Sequence, residues 1–210
     1  MTTANHIAVG LSKIGLFLRS QAWREGEANG LSPTQAQILA YVAARGATRI
    51  GALAAELGVR QPTVSDAVAA LVRKGYVEKQ VDPTDARATQ LLPTEAGRRL
   101  SYGMAVWPDA LLAAVQDFEP AEQGVLLRTL TKMIRALQVQ GAIPLQRMCV
   151  TCRYFRPYVH RDAARPHHCA FVDAAFGDAA LRLDCGDHGE AESSLQRDNW
   201  SRFKEAPARG

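Results

Sequence analysis

All cysteines of this chain lie in one late segment, with the spacing Cys149-x2-Cys152-x16-Cys169-x15-Cys185. None occurs among the first 148 residues. Four thiolates are the usual ligand set of an iron–sulfur cluster and of a closed zinc site. A C-x-x-C pair lets one turn of backbone offer two sulfurs to one centre, and the single cysteines then arrive from elsewhere in the fold. The spacing therefore predicts one metal centre held by all of these thiols.

The spacing leaves the identity of the metal open. Zinc ribbons usually contain a second C-x-x-C pair, which is missing here, although His188 or His168 would serve as an alternative ligand. A C-x-x-C pair followed by two single cysteines is similar to the high-potential iron–sulfur fold over about 40 residues, and the aromatic residues of CRYF support the comparison. We expect an iron–sulfur cluster, and the 4Fe–4S type is the preferred one. The alternatives are zinc, and free or disulfide-switching thiols.

Composition and charge are those of a soluble protein that is able to bind nucleic acid. The chain has 210 residues, 47% of them hydrophobic and 22% charged, with a net charge of +4. This mildly basic balance permits DNA binding without proving it. Because no secretion signal and no apolar run of about 18 residues is present, we expect a cytoplasmic protein without membrane contact. Thiols stay reduced there, which favours metal or redox chemistry over structural disulfides.

The segments before the cysteines predict helices and then a helix-turn-helix. Apolar residues at helical spacing over 5–24 predict a first helix, and Ser32 caps a second one that ends at Gly46. Two short helices then surround a turn at Gly58, and Pro62 opens the second of them. The expected core side of that helix consists of Val64, Val68 and Leu71.

A predicted β-hairpin follows the helix-turn-helix directly. Its strands cover residues 77–81 and 88–92, with a turn opened by Asp82 and with Arg87 near the tip. A hairpin in this position is a wing. Two long helices are predicted next, over 93–118 with a bend at Pro108, and over 120–140.

This order of elements, with the phrases LSPTQAQILAYV, LGVRQPTVSDAVAALVRKGYVEK, DPTDAR and LLPTEAG, resembles the MarR family of winged helix-turn-helix regulators over residues 5–142. The resemblance implies a mainly α fold with a small β-wing (α+β) and a homodimer built from the first and last helices of this region. It implies a recognition helix in the major groove of double-stranded DNA and a wing on the flanking backbone or minor groove. The implied function is a transcription regulator, a repressor first, on a palindromic operator.

The resemblance assigns DNA contacts to the recognition helix and the wing. Short polar groups that reach base edges or phosphates lie at the N-terminal end of the helix: Gln61, Thr63 and Ser65. The cations expected at phosphates or in a narrow minor groove are Arg60, Arg73 and Arg87. Asp66 departs from the basic residue common in the family, and it is able to accept from cytosine or to repel phosphate. Asp82 and Asp85 are expected to hold the hairpin and to orient Arg87.

The expected domains are a DNA-binding and dimerisation domain over 1–142, a cysteine-rich module over 143–192 and a polar tail over 193–210, with a short helix near Trp200 and Phe203. A module of about 45 residues rarely folds alone, and a metal centre would supply the missing stability. The centre is then either a structural staple or a sensor. Oxidation or loss of the cofactor would, in the second case, change the spacing of the recognition helices.

Other functions stay open on the sequence. One is a zinc-stapled MarR regulator that responds to a small aromatic ligand, although Trp23, Tyr41 and Trp107 are explained equally well by packing. Another is a redox or electron-transfer protein whose winged-helix body makes no operator contact. An enzyme is not expected, because the sequence has no Gly-rich phosphate loop, no nucleophile motif and no catalytic histidine constellation outside the cysteine segment.

Overall fold

A computed structural model describes residues 1–103 and 108–205 of the chain. The chain divides into two compact units, Met1–Leu112 and Ala113–Gly210. This division lies earlier in the chain than the boundary at 142/143 that the sequence suggests. Within the described ranges, no helix combines the length and the apolar character needed to cross a membrane.

The helices of the first unit begin and end at sequence signals. They are α1 (Thr3–Ala28), α2 (Pro33–Arg45), α3 (Ile50–Leu57), α4 (Gln61–Arg73) and α5 (Glu95–Gly103). At the start of α2, the Ser32 hydroxyl accepts from the backbone N–H of Gln35 at 3.2 Å, and the Gln35 side chain accepts from the N–H of Ser32 at 3.3 Å. This capping box, with Pro33 in the first turn, confirms the predicted start of the helix.

The helix-turn-helix consists of α3 and α4 around a left-handed turn. Gly58 takes φ +62°, a conformation that glycine adopts without a steric penalty, and it ends α3. The predicted core side of α4 is confirmed, because Val64, Val68 and Leu71 are fully buried. They pack in one cluster with apolar residues of α2, α3 and the hairpin: Ile38, Leu39, Val42, Leu53, Val77 and Leu91.

The wing is a three-stranded antiparallel sheet. Its strands are β1 (Thr48–Arg49), β2 (Val77–Asp82) and β3 (Asp85–Pro93), in the order β1-β3-β2. Gln80 faces Gln90 in the hairpin, and the register shifts between Val81 and Asp82. The sequence predicts the hairpin, but it gives no sign of the two-residue strand β1, which is too short for a periodic pattern.

The phrase LLPTEAG fixes α5 against the base of the hairpin. The Thr94 hydroxyl donates to the carbonyl of Gly75 at 2.6 Å and accepts from the N–H of Gly97 at 3.0 Å. A Cβ added to Gly97 would collide with the carbonyl oxygen of Tyr76. Glycine is therefore required here for the close approach of two backbones.

The second unit joins a long helix to the cysteine segment. The division at residue 112 falls within α6 (Asp109–Gln116). The elements that follow are α7 (Pro120–Val139), β4 (Phe155–Arg156), β5 (His167–Cys169), β6 (Ala174–Phe176) and α8 (Ser193–Glu205). The helix predicted over 93–118 is divided into α5 and α6, and α6 begins directly after Pro108, where the bend was expected. Residues 104–107, with Trp107, lie outside the described ranges. The sheet β4-β5-β6 was not foreseen.

A second hydrophobic core holds the cysteine segment against α7 and α8. Its buried members are Met148, Val150, Cys152, Phe155, Leu181 and Phe203. Leu127 and Ile134 of α7 pack against this cluster. Residues 193–205, expected mostly as a loose polar tail, instead form a 13-residue helix. Its Phe203 ring is buried completely, and the Asn199 amide donates to the carbonyl of Phe155 at 3.0 Å.

Candidate functional site

The recognition helix α4 separates its side chains into a buried side and an outward side. Gln61, Thr63 and Asp66 are exposed, and Ser65 is half-buried. The buried Val64, Val68 and Leu71 fix the rotation of the helix, so these polar side chains lie outside its buried side. Arg60 stands at the N-cap position, where its side chain makes no capping hydrogen bond, and it is exposed.

Arg73 lies at the other end of α4. Twelve residues of helix separate it from Gln61, which is a rise of about 18 Å. Gln61 and Arg73 would therefore contact different parts of a bound duplex. Lys74, the next residue, forms hydrogen bonds within the protein. Its ammonium donates to the carbonyl of Gly30 at 2.6 Å and to the Gln35 side chain at 2.8 Å.

Asp82 anchors the base of the wing turn. Its carboxylate accepts from the Thr84 N–H at 2.9 Å and hydroxyl at 2.6 Å, and from the Arg49 guanidinium at 2.8 and 2.6 Å. The hydrogen bonds from Thr84, followed by that from Arg49, lower the pKa of Asp82 to about 2. Arg49 is not among the residues predicted from the sequence, because β1, on which it lies, is too short to show a periodic pattern.

Arg87 is exposed at the beginning of the second hairpin strand. The Asp85 carboxylate accepts from the backbone N–H of Arg87 at 3.1 Å, and it lies 3.9 Å from the Arg49 guanidinium. Asp85 thus holds the backbone from which Arg87 projects. Both aspartates have the structural positions expected of them, and Arg49 of β1 holds the turn between β2 and β3 through Asp82.

The four cysteines line one cavity of about 150 Å³. Cys149 and Cys152 stand at either side of a single 3₁₀ turn, Cys169 ends β5, and Cys185 precedes a short loop. All are free thiols. The remaining lining is mostly apolar and aromatic: Tyr154, Phe155, Phe171, Val172, Ala174, Phe176 and Ala180.

Arg182 is the closest polar partner of the thiols. Its backbone N–H donates to Cys149 Sγ at 3.3 Å, and its guanidinium donates to Cys185 Sγ at 3.7 Å. Burial raises the pKa of Cys149 to about 11, although the Arg182 N–H opposes the shift. The thiol is therefore protonated at neutral pH, and a bound cation would have to displace that proton. The only sequence signal for Arg182 was its closeness to Cys185.

The histidines lie around the cysteine segment but not in the cavity lining as the structure describes it. His188 Nε2 lies 3.0 Å from the Thr151 hydroxyl, and burial lowers the pKa of His188. His168 lies between His160, at 3.2 Å, and Asp173, at 3.3 Å. His167 is completely buried and lies 2.8 Å from a carboxylate oxygen of Asp178. The proposed alternative ligands thus have other partners.

The four thiols line the cavity, but their sulfur atoms do not converge on one position. In residues 1–103 and 108–205, no group of three or more Cys, His, Asp or Glu side chains is close enough to hold a single metal ion. A zinc ion needs its sulfurs at about 2.3 Å from one position. The donor set here, four thiols on a mostly apolar wall, is one that closed zinc sites and iron–sulfur clusters both use.

Comparisons with known proteins concern the front of the chain. Residues 29–88 match the model of the MarR family. No curated protein sequence matches the chain significantly. Among solved structures, MepR of S. aureus in complex with DNA is 23% identical, with a TM-score of 0.54 over 66% of this chain and 100% of MepR. MepR in its DNA-binding conformation gives a TM-score of 0.57 at 23% identity, over 63% of this chain and 98% of MepR.

A MarR protein from Peptoclostridium difficile is 20% identical, with a TM-score of 0.55 over 64% of this chain and 88% of its own. At these identities the likeness shows a common fold. The mainly helical winged helix-turn-helix architecture implied by the sequence is thus confirmed, and the cysteine segment is an addition to the part that these structures cover. Over residues 29–88 the chain is similar to the MarR family, whose model matches this region.

Proposed function

We propose that this protein is a MarR-type transcription regulator, a repressor first, that binds a palindromic DNA operator as a homodimer and carries on its four cysteines an iron–sulfur cluster that senses redox state. The DNA-binding part rests on one observation above all. The polar side of α4 faces outward on a fixed helix, next to a wing anchored through Arg49 and Asp82. The S. aureus relative that was solved in complex with DNA supports the same use of the fold.

The recognition helix offers the chemistry of direct readout at its N-terminal end. Gln61 is able to form paired hydrogen bonds with adenine, and Thr63 and Ser65 are able to contact bases or phosphates. The positive end of the helix dipole favours phosphate at the same place. Asp66, one turn further on, would select cytosine by accepting from its amino group. Arg60 and Arg73 then hold the backbone on either side.

The first helix supports the homodimer. Ile7, Leu11 and Ile14 of α1 follow one another at helical spacing and are 52%, 39% and 47% exposed. Side chains four and three residues apart share one face of a helix. An apolar row of this kind in water favours burial against a partner, and a second copy of the same helix fits the symmetry of a palindromic operator.

The cavity supports an iron–sulfur cluster over zinc. Its thiols would hold the cluster from different elements, the aromatic wall would exclude water, and Arg182 would donate to two of the sulfurs. When bound, a cluster supplies one-electron redox chemistry. Cys169 stands on β5, and the buried His167 of the same strand contacts Asp178 at 2.8 Å. Asp178 lies 3.7 Å from Arg128 of α7, so buried polar contacts join the cysteine strand to a helix expected to dimerise.

DNA selection from a random duplex pool tests the first part of the proposal. The full-length protein should enrich a palindrome, and its affinity should fall steeply with salt, because phosphate contacts release counterions. Recovery of no sequence, with weak binding that is equal for all duplexes, would reject operator binding and favour a redox protein with a winged-helix body.

Visible absorption, with iron, sulfide and zinc analysis of protein purified without oxygen, tests the second part. We expect a brown protein with four irons per chain, as a 4Fe–4S cluster contains. A colourless protein with one zinc per chain would reject the cluster and leave a zinc-stapled regulator. A colourless protein without metal would reject both metal centres and show that the four cysteines are free thiols.

A further inference from the structure

Arg182 contacts the cysteine quartet through two separate groups. Its backbone N–H reaches Cys149 and its guanidinium reaches Cys185, so one residue joins thiols from the two ends of the segment. The carbonyl of Arg182 also accepts from the N–H of Cys149 at 3.0 Å. The backbone contacts fix its position, while the side chain is 60% exposed and lies at the open side of the cavity.

Asp187 is the counterpart of Arg182 at the same rim. Its carboxylate lies 3.9 Å from the Arg182 guanidinium and is 48% exposed. Apart from the thiols, Arg182 and Asp187 are the charged residues that line the cavity in the described part of the chain. The other lining residues besides the thiols are aromatic or aliphatic. The charge next to any occupant is therefore set by one cation and one anion, each replaceable without disturbing the core.

We propose that Arg182 is a positioning residue for the cysteine centre that holds the thiolates of Cys149 and Cys185 and raises the reduction potential of the cluster, with Asp187 acting in the opposite direction. This inference rests on the proposed iron–sulfur centre. One-electron reduction makes a cluster and its thiolates more negative. A nearby cation and N–H donors to sulfur stabilise the reduced state, and a nearby carboxylate destabilises it.

Mutagenesis can remove the side-chain contact of Arg182 and keep its backbone contact. Arg182→Gln removes the cation but keeps the N–H to Cys149, and Asp187→Asn removes the anion with almost no change in shape. We expect Arg182→Gln to lower the midpoint potential and Asp187→Asn to raise it. Arg182→Lys should restore part of the loss, because it keeps the charge but not the planar donor. Since both side chains are half-exposed, the shifts should shrink as salt is added.

The module contains a matched control pair. Arg165 and Asp162 form a surface ion pair at 3.0 Å, with the arginine 67% exposed, and neither residue is in the cavity lining. Arg165→Gln and Asp162→Asn should leave the potential unchanged. The measurement is a dithionite titration of the anaerobically purified protein, followed by absorbance and electron paramagnetic resonance. Dithionite supplies the electron that the cluster accepts.

The outcomes separate this inference from the proposed function. A colourless protein without iron overturns the centre and the role of Arg182 together. An iron-loaded protein whose potential does not move in either rim variant, or moves in the same direction in both, overturns the role of Arg182 alone. Potentials that shift in opposite directions, with silent controls, establish the role. A purely structural contribution of Arg182 would change cluster yield without this opposition.

Discussion

At the scale of single residues, neighbouring side chains of α4 differ in burial. Gln61 and Thr63 point outward beside a valine that is fully buried, so the chain alternates core and surface within one turn. Arg73 is separated from them by the length of the helix. A residue that reads bases and a residue that holds phosphates should therefore respond differently to substitution.

Gln61→Ala should weaken binding to the selected operator by about 1–3 kcal/mol and relax the sequence preference at one position. Arg73→Ala should weaken binding to all duplexes similarly and reduce the slope of affinity against salt. Fluorescence anisotropy with the operator and with a scrambled duplex distinguishes the two effects. Ser194→Ala, at an exposed position of α8, is the control. Equal losses on both duplexes for Gln61→Ala would contradict a base contact.

The wing anchor makes the stability of the first unit sensitive to acid. The pKa of Asp82 is lowered from 3.8 to about 2 in the folded protein, so its ionised form stabilises the fold above 3.8, and this stabilisation is lost as the pH falls towards about 2. Asp82→Asn removes the effect.

The free energy of unfolding, measured with urea across this range, should fall more steeply with acid in the natural protein than in Asp82→Asn. The two proteins should differ most at neutral pH and converge in strong acid. Asp85→Asn serves as a comparison for the neighbouring carboxylate. Parallel curves for the natural protein and Asp82→Asn would contradict the assigned anchor.

At the scale of elements, the helices and the hairpin were predictable because local signals mark their ends. Ser32, Pro33 and Gly46 delimit α2, and the buried row of α4 follows the helical period. The strands β1 and β4–β6 have two or three residues each, too few for a period-two pattern. The helix α8 was underestimated because its polar residues, such as Gln196 and Asn199, are buried through hydrogen bonds that only the fold supplies.

Contacts between residues that are distant in the sequence also limited the prediction of the candidate site. The cysteines were identifiable because thiols are scarce and clustered, and the wing aspartates because they precede a turn. Arg49 and Arg182 act across 33 positions of sequence each, to Asp82 and to Cys149, and no local pattern encodes such contacts. The candidate ligands and candidate DNA contacts were therefore identifiable from the sequence, whereas Arg49 and Arg182 became identifiable only in the structure.

The contact between the cysteine segment and α7 should be a major source of stability for the second unit. Asp178 links the buried His167 to the buried Arg128. Asp178→Ala should lower the free energy of unfolding by on the order of 2 kcal/mol, because a buried histidine and a buried guanidinium lose a common partner. Asp184→Ala, on an exposed carboxylate of the same segment, should cost much less. Equal effects of the two changes in a denaturant titration would contradict the assigned link.

At the scale of the whole molecule, DNA binding and dimerisation should depend on each other. A palindrome is read by two recognition helices, and a monomer would hold only one half-site. Leu11→Glu places a charge in the apolar row of α1 and should convert the dimer to a monomer with a large loss of operator affinity. Lys13→Glu adds an acidic residue outside that row and is the control. Light scattering that finds a dimer in Leu11→Glu would contradict the α1 interface.

The proposed coupling between the cluster and DNA binding is tested by the operator affinity of one preparation, measured with its cluster intact and after oxidative loss of the cluster. We expect specific, salt-dependent binding in one state and an affinity that differs by at least about tenfold, a coupling free energy of about 1.4 kcal/mol, in the other. Cys169→Ser should behave like the cluster-free form in both conditions. Identical affinities in the two states would contradict the sensor, and the absence of specific binding in both would contradict the regulator itself.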